Sequence, residues 1–274
     1  MTDPVTRPRD DSPVRPLFRS IVCGVDGSPS SLEAARQAAV LGGRDADISV
    51  LTVGNGLTRS SVLGEERAQA AVEQAADAVR QAGGQATERI VMHREPIDVL
   101  LEAAAETDLL VVSSHGRSAR FGLLLGSTVS VLAHRAHVPV LIARRPPPGR
   151  SFPDSIIVAS DGRPEADDAV ELAGTLAARH GAKLALVHVE DGREVPGRQL
   201  AEHSVRLIEL TGVEPVVLPE QGPADDRIVE AAERVSASLI VTGARSLGAL
   251  GALGSVSERV AHHARCSVLI VRPR

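Results

Sequence analysis

Asp108-Leu109-Leu110-Val111-Val112-Ser113-Ser114-His115-Gly116, followed after nine residues by Gly126-Ser127-Thr128, reads as a buried strand that empties into a loop of small residues and re-enters as a helix. The apolar run is continuous rather than alternating, so it is buried on both faces, as in a parallel sheet covered by helices. Glycine lets backbone N–H groups approach an anion closely, and the first unpaired amides of the helix point toward it. Ser127 and Thr128 add hydroxyl donors and are expected to cap the same helix. A strand, loop and helix of this kind make a place where phosphate can sit.

Working outward, the chain writes one pattern twice. Ile21-Val22-Cys23-Gly24-Val25-Asp26-Gly27 recurs as Ile156-Ile157-Val158-Ala159-Ser160-Asp161-Gly162, and Gly126-Ser127 recurs as Gly254-Ser255. Val140-Leu141-Ile142-Ala143-Arg144 matches Val268-Leu269-Ile270-Val271-Arg272, so the repeat spacing runs from 128 to 135 residues. In the first half, strands are expected at about 20–25, 48–53, 88–92, 109–113 and 138–143, with helices at about 30–41, 63–82, 97–106 and 128–135. The second half repeats the alternation with strands near 156–159, 184–189, 215–218, 239–241 and 268–271. The run from Arg144 to Pro153 holds Pro146, Pro147, Pro148 and Gly149 and reads as an extended, semi-rigid linker. The fold class is therefore α/β: two tandem doubly wound five-stranded parallel sheets, Rossmann-like in type. The expected division is an arm over 1–17, a first domain over 18–145, a linker over 146–153 and a second domain over 154–274. In such sheets ligands bind outside the carboxyl ends of the strands, where strand order reverses. That puts the loops after Val25, Val53 and Val112 on one rim.

Composition narrows the partners. The net charge is −5, and Trp and Tyr are absent with only three Phe, so neither a basic stripe nor a set of stacking platforms marks a nucleic-acid face. No apolar run approaches the ~20 residues of a membrane span. The first sixteen residues carry Pro4, Pro8, Pro13 and Pro16 among Arg and Asp, a flexible arm rather than a signal peptide, which points to the cytoplasm. Lys183 is the one lysine, so a Gly-Lys-Ser/Thr phosphate loop is excluded. Cys23 and Cys266 lie in or beside expected strands and read as small buried hydrophobes. No Cys/His cluster has metal-ligand spacing.

From about Phe18 onward the chain resembles the universal stress protein family in its tandem form. Its ATP-binding members carry Gly-x2-Gly-x9-Gly-Ser/Thr after the fourth strand and an Asp at the end of the first. Here Ser113 replaces the first glycine, while Gly116, Gly126, Ser127 and Thr128 keep the spacing and Asp26 stands in place. The resemblance implies that Asp26, next to Val25, meets the ribose or base, that Val53 packs on the base, and that the 113–128 loop with His115 and Arg117 holds a triphosphate. The second half departs further: Gly243 is present, Ser246 replaces the second glycine, and seven residues rather than nine precede Gly254-Ser255-Val256. Asp161 and Val189 still match the family positions. The resemblance also implies that the final strands pair antiparallel across the domain interface and that the chain forms a homodimer.

Two bland alternatives stand beside these assignments: Asp26 as a helix-start residue, and Arg117, Arg120 and His115 as solvated loop side chains. His262 and His263 lie on the last helix, outside the rim, and are expected on the surface. Neither loop contains a carboxylate that could serve as general base, and no Ser/His/Asp constellation follows from spacing. The chain thus reads as a binder of ATP, with or without magnesium, or of AMP or ADP, rather than an enzyme. A nucleotide-free scaffold and a slow ATPase are the rival readings.

Overall fold

The computed structural model describes residues 17–54, 61–115, 125–162, 166–190, 197–244 and 256–272. The first half runs β1 (Ser20–Gly24), α1 (Pro29–Gly42), β2 (Asp47–Gly54), α2 (Ser61–Gln81), β3 (Gln85–Met92), α3 (Pro96–Ala104), β4 (Leu109–Ser113), α4 (Ser127–Arg135) and β5 (Val140–Ala143). The second half runs β6 (Ser155–Ala159), α5 (Asp167–His180), β7 (Lys183–Glu190), α6 (Gly197–Thr211), β8 (Val216–Gln221), α7 (Ala224–Arg234), β9 (Leu239–Gly243), α8 (Val256–His263) and β10 (Ser267–Val271).

The strands form one ten-stranded sheet in the order β3-β2-β1-β4-β5-β10-β9-β6-β7-β8. Each half is a five-stranded doubly wound parallel sheet, and β5 joins β10 antiparallel, with Ile142 opposite Val268, Leu141 opposite Leu269 and Val140 opposite Ile270. Left unpaired, either strand would offer an adhesive apolar edge, and the antiparallel seam removes both edges at once. Alternation along the seam feeds two cores. Leu141 and Leu269 enter the layer under α1, α2, α5 and α6. Val140, Ile142, Val268 and Ile270 enter the layer under α3, α4, α7 and α8. Each layer contains residues of both halves, so the core does not stop at the repeat boundary.

Small residues set the helix–sheet distance. Ala34, Ala35, Ala38 and Ala39 form the buried stripe of α1 and bring its backbone close to the strands. Gly174 does the same between α5 and α6: a Cβ there would lie 2.4 Å from Leu207 Cδ2.

Three expectations shift. β3 begins at Gln85, because pairing with β2 from Asp47 onward extends this outer strand through residues too polar to mark it. β8 continues through Pro219, which pairs opposite His188; an edge strand tolerates the missing N–H. Residues 146–153 are not extended but compact, with one turn closed by Arg150 N on Pro147 O at 3.0 Å and another by Asp154 N on Ser151 O at 3.0 Å.

Candidate functional site

Strand order reverses between β1 and β4, whose carboxyl ends carry Val25-Asp26 and Ser113-Ser114-His115. Val25 continues the pairing of β1, its amide donating to Leu51 O at 2.8 Å. Gly27 follows at φ +75°, turning the chain toward α1. Asp26 Oδ1 accepts the Ser28 amide at 3.0 Å, and Ser28 Oγ caps α1 by accepting the Ser31 amide at 3.2 Å. Ser28 thus does the capping, and Asp26 fixes the turn ahead of it at the rim.

Side-chain hydroxyls tie this turn to the one after β4. Ser30 Oγ donates to His115 O at 2.9 Å, and Ser113 Oγ donates to the same carbonyl at 3.0 Å. Serine at 113, where the family pattern has glycine, is accommodated by that bond and is itself buried. His115 Nδ1 lies 2.9 Å from Ser114 Oγ, while its Nε2 is buried and has no hydrogen-bond partner among the described residues. His115 is therefore no solvated loop residue. The turn is closed from the far side by Gly126 N donating to Ser114 O at 3.2 Å.

α4 starts one residue earlier than its sequence suggests. Gly126 is its N-cap, with no side-chain cap hydrogen bond, so neither Ser127 nor Thr128 caps it. Glycine at the N-cap offers no side chain to satisfy the first-turn amides. Gly126 has φ −64° and, among the described residues, a Cβ placed on it would meet nothing nearer than Ser114 O at 4.0 Å, so neither the backbone conformation nor the packing of those residues requires glycine there.

Val53 lies at the carboxyl end of β2 and packs partly buried against the α3/α4 core layer. The structure therefore brings Val25, Asp26, Val53, Ser113, His115, Gly126, Ser127 and Thr128 to one rim, while Gly116, Arg117 and Arg120 lie outside the described residues. In the second half Asp161, Val189, Gly243 and Val256 occupy the corresponding strand and helix ends, and Gly254, Ser255 and Ser246 lie outside the described residues. Ser257, in the first turn of α8, donates to Gly243 O at 2.8 Å, tying that helix to the end of β9.

The second half also holds a polar chain, buried at Ser160 and His203 and reaching solvent at Arg206, that spacing did not reveal. Ser160 Oγ lies 2.8 Å from His203 Nδ1, and His203 Nε2 lies 2.9 Å from Asp167 Oδ1. Asp167 Oδ2 in turn accepts from Arg206 Nη1 at 3.1 Å. In the neutral ring with Nε2 donating to the carboxylate, Nδ1 is the acceptor for the serine hydroxyl, an order that resembles a nucleophile relay. Ser160 is 5 % exposed, however, and its Oγ also accepts the Gly162 amide at 3.0 Å. The chain therefore acts as an internal peg between α5, α6 and β6. Next to it His188 donates from Nδ1 to Ser160 O at 2.8 Å. His203, 43 residues from Ser160, reads in sequence as one more polar position of an amphipathic helix, so no local signal marked it.

The seam is polar at its rim. Gln37 Nε2 donates to Arg144 O at 2.7 Å, and the Arg144 amide donates to Ser267 Oγ at 3.0 Å. Burial pulls the Arg144 guanidinium down to about 10. Of the two histidines expected on the surface, His263 is exposed, whereas His262 is partly buried between α8 and α4, with Nδ1 accepting the Leu125 amide at 3.4 Å and Nε2 3.3 Å from Ser130 Oγ. Cys23 and Cys266 are free and buried, and burial pushes both thiols up to about 12, which keeps them unreactive. Asp225 and Asp226 approach His263, but the inner carboxylate, Asp225, is already paired with Arg259 Nε at 2.8 Å. Among the described residues no helix is long and apolar enough to cross a membrane.

Comparison with known proteins agrees with this architecture. The pattern of the Universal stress protein family matches residues 17–144 and again 153–272. A universal stress protein of Mycolicibacterium smegmatis is 29% identical over 292 aligned residues, covering 93% of this chain and 97% of that one. One from Mycobacterium tuberculosis is 32% identical over 200 residues, covering 65% of this chain and 66% of its own length. The crystal structure of a universal stress protein from Archaeoglobus fulgidus superposes with a TM-score of 0.73 at 25% identity, covering 92% of this chain and 96% of that chain. With both halves matched and one such fold in each, the chain belongs to the universal stress protein family, in its tandem form.

Proposed function

We propose that the first half binds an adenine nucleotide, ATP foremost and AMP or ADP as alternatives, and that occupancy adjusts the shape or the partners of a cytoplasmic stress-response protein. The observation that carries this reading is the α4 N-terminus, whose N-cap is a glycine without a side chain, together with His115 Nε2, which is buried and has no hydrogen-bond partner among the described residues. Uncapped amides and a helix dipole favour an anion, and an orphaned ring nitrogen favours a polar ligand atom. Phosphates would lie against the amides after Gly126 with Ser127, Thr128, Gly116 and Arg117 around them. Asp26 would meet the ribose or base, and Val53 the base. Family membership and the 113–128 spacing support the same assignment. Binding rather than turnover is favoured because no carboxylate occurs between Ser113 and Thr128. A homodimer would have to use surfaces other than β5 and β10, which already pair with each other.

In the second half, Gly254, Ser255, Val256, Gly243, Asp161 and Val189 would form the corresponding cradle. Its loop is two residues shorter, so we assign the tight site to the first half alone.

The chain has no Trp or Tyr, so the ultraviolet spectrum of the purified protein tests the reading directly: a bound adenine dominates it. For empty protein, a hundredfold excess of ATP over Kd raises stability by about 2.7 kcal/mol, and calorimetry with and without magnesium reports the metal requirement. Gly126→Val should abolish that gain while lowering the unliganded melting temperature only modestly, because among the described residues a Cβ at 126 meets nothing nearer than Ser114 O at 4.0 Å, although valine is a poorer N-cap than glycine. Full ATP affinity in the variant would refute the phosphate cradle.

A further inference from the structure

The second half grips α4 at both ends. At the C-terminal end, the Arg272 guanidinium, just past β10, donates to His134 O at 3.0 Å and also to Ala133 O. At the N-terminal end, His262 of α8 meets the amide of Leu125, the residue before Gly126, and the hydroxyl of Ser130 one turn into the helix. Arg144, just past β5, returns the contact by donating from Nη2 to Ala261 O at 2.7 Å, immediately before His262. The phosphate-facing end of α4 is thus held by a residue more than a hundred positions away and belonging to the other repeat.

The chemistry of the contact selects one state of the ring. Leu125 N can only donate, so His262 Nδ1 must be the acceptor and Nε2 must carry the proton, which it gives to Ser130 Oγ. A second proton on Nδ1 would set a donor against a donor and leave the Leu125 amide unpaired. The charges around the ring come from three elements. Glu258 on its own helix favours protonation, while His263 beside it and Arg144 beyond β5 oppose it. Asp225 on α7 is held by Arg259. Burial is the largest influence and pulls His262 below its ordinary value of 6.5. A group lowered in the folded chain adds its stabilisation above the unfolded value and loses it as pH falls through the folded one.

We propose that His262 is a positioning residue for the first half's phosphate loop, a proton-sensitive latch supplied by the second half. Neutral, it holds Leu125-Gly126 and the start of α4 in the receiving geometry; protonated, it lets them go. This rests on the reading that the α4 N-terminus receives a phosphate.

Two readouts on the full chain test it. In the first, the Leu125 amide resonance is followed through an acid titration alongside the His262 ring signals. The latch requires both to move with one midpoint, below the ordinary histidine value. In the second, ATP affinity is measured at about pH 8 and about one pH unit below the midpoint found in the first readout, in the parent, His262→Gln and His262→Phe. The nucleotide's own phosphate titrates near pH 6 in all three, so the variants cancel it. The parent should lose on the order of tenfold more affinity on acidification than His262→Gln, and His262→Phe should be weak and unresponsive at both values. Identical pH profiles in parent and His262→Gln, or a Leu125 amide that ignores the ring, would overturn the latch. Absence of ATP binding at both values with the amide still tracking His262 would instead overturn the nucleotide reading and the positioning role with it. The two failures are therefore distinguishable.

Discussion

Val25 and Ser160 hold the same place in the two repeats, directly after the first strand, yet they do opposite things. Val25 is buried in the core layer under α1 and α2, and Ala71 of α2 lies 3.2 Å from where a Cβ on Gly27 would stand. In the second half Ser160 joins His203 and Asp167 in hydrogen bonds at the corresponding spot. A satisfied buried network is tolerable, but removing one member strands the rest. His203→Ala should cost about 2 kcal/mol in thermal or denaturant unfolding, because Ser160 Oγ loses its acceptor and a void remains. Adding Ser160→Val, which puts an apolar side chain where the first half has Val25, should recover part of that loss, since the stranded hydroxyl is gone and only the Gly162 amide is left to find another acceptor. A double variant as unstable as the sum of its singles would show that the network is not the cause. At this scale the sequence was legible where residues repeat, as Asp26 and Asp161 do. It was silent where a role depends on a partner on another helix, as with His203, or in the other repeat, as with His262.

Between elements, the two helices that meet the first rim differ in how they begin. α1 is capped by Ser28 and prolonged by Pro29 at its first position, whereas α4 starts bare at Gly126. A self-sufficient helix needs its cap; one awaiting an anion has to leave its amides open. Ser28→Ala should therefore cost about 1 kcal/mol of stability, measured by urea unfolding. It should also disturb the Ser28–Ser30 hydroxyl contact of 2.9 Å that leads to His115. No change in stability would mean that Asp26 and Pro29 set the helix start without it. The Asp-Gly-Ser-Pro stretch announced this cap in the sequence. The bare start of α4 was not announced, since Ser127 and Thr128 are good capping types and only the observed backbone puts them inside the helix. The outer strands were half legible for a related reason. β3 and β8 face solvent along one edge, so their residues, Glu88 and Pro219 among them, need not be the continuous apolar runs that betray the inner strands.

For the molecule as a whole, the repeat decides the architecture. Two matching strand ends, Val140–Ala143 and Val268–Val271, demand a partner, and each is the other's answer. The sequence shows that both are apolar and end their repeats, and the family resemblance implies that they pair; the register, with Leu141 facing Leu269, follows only once both sheets are built. Because both core layers run through the seam, the halves should unfold together in one transition in which secondary-structure and tertiary probes coincide. Leu269→Ala tests this, since Leu269 is fully buried and sits at the centre of the seam. Removing its side chain should cost about 2–5 kcal/mol, a range set by how far the neighbours can close the void. The loss falls on the contact between halves more than on either half alone, so the transition should broaden or separate into two, with Leu141→Ala adding less than its own cost because the two leucines share one cavity. A single sharp transition, lowered but undivided, together with strictly additive costs would mean that the halves are joined through Gln37, Arg144, Ser267 and Arg272 rather than through the apolar seam.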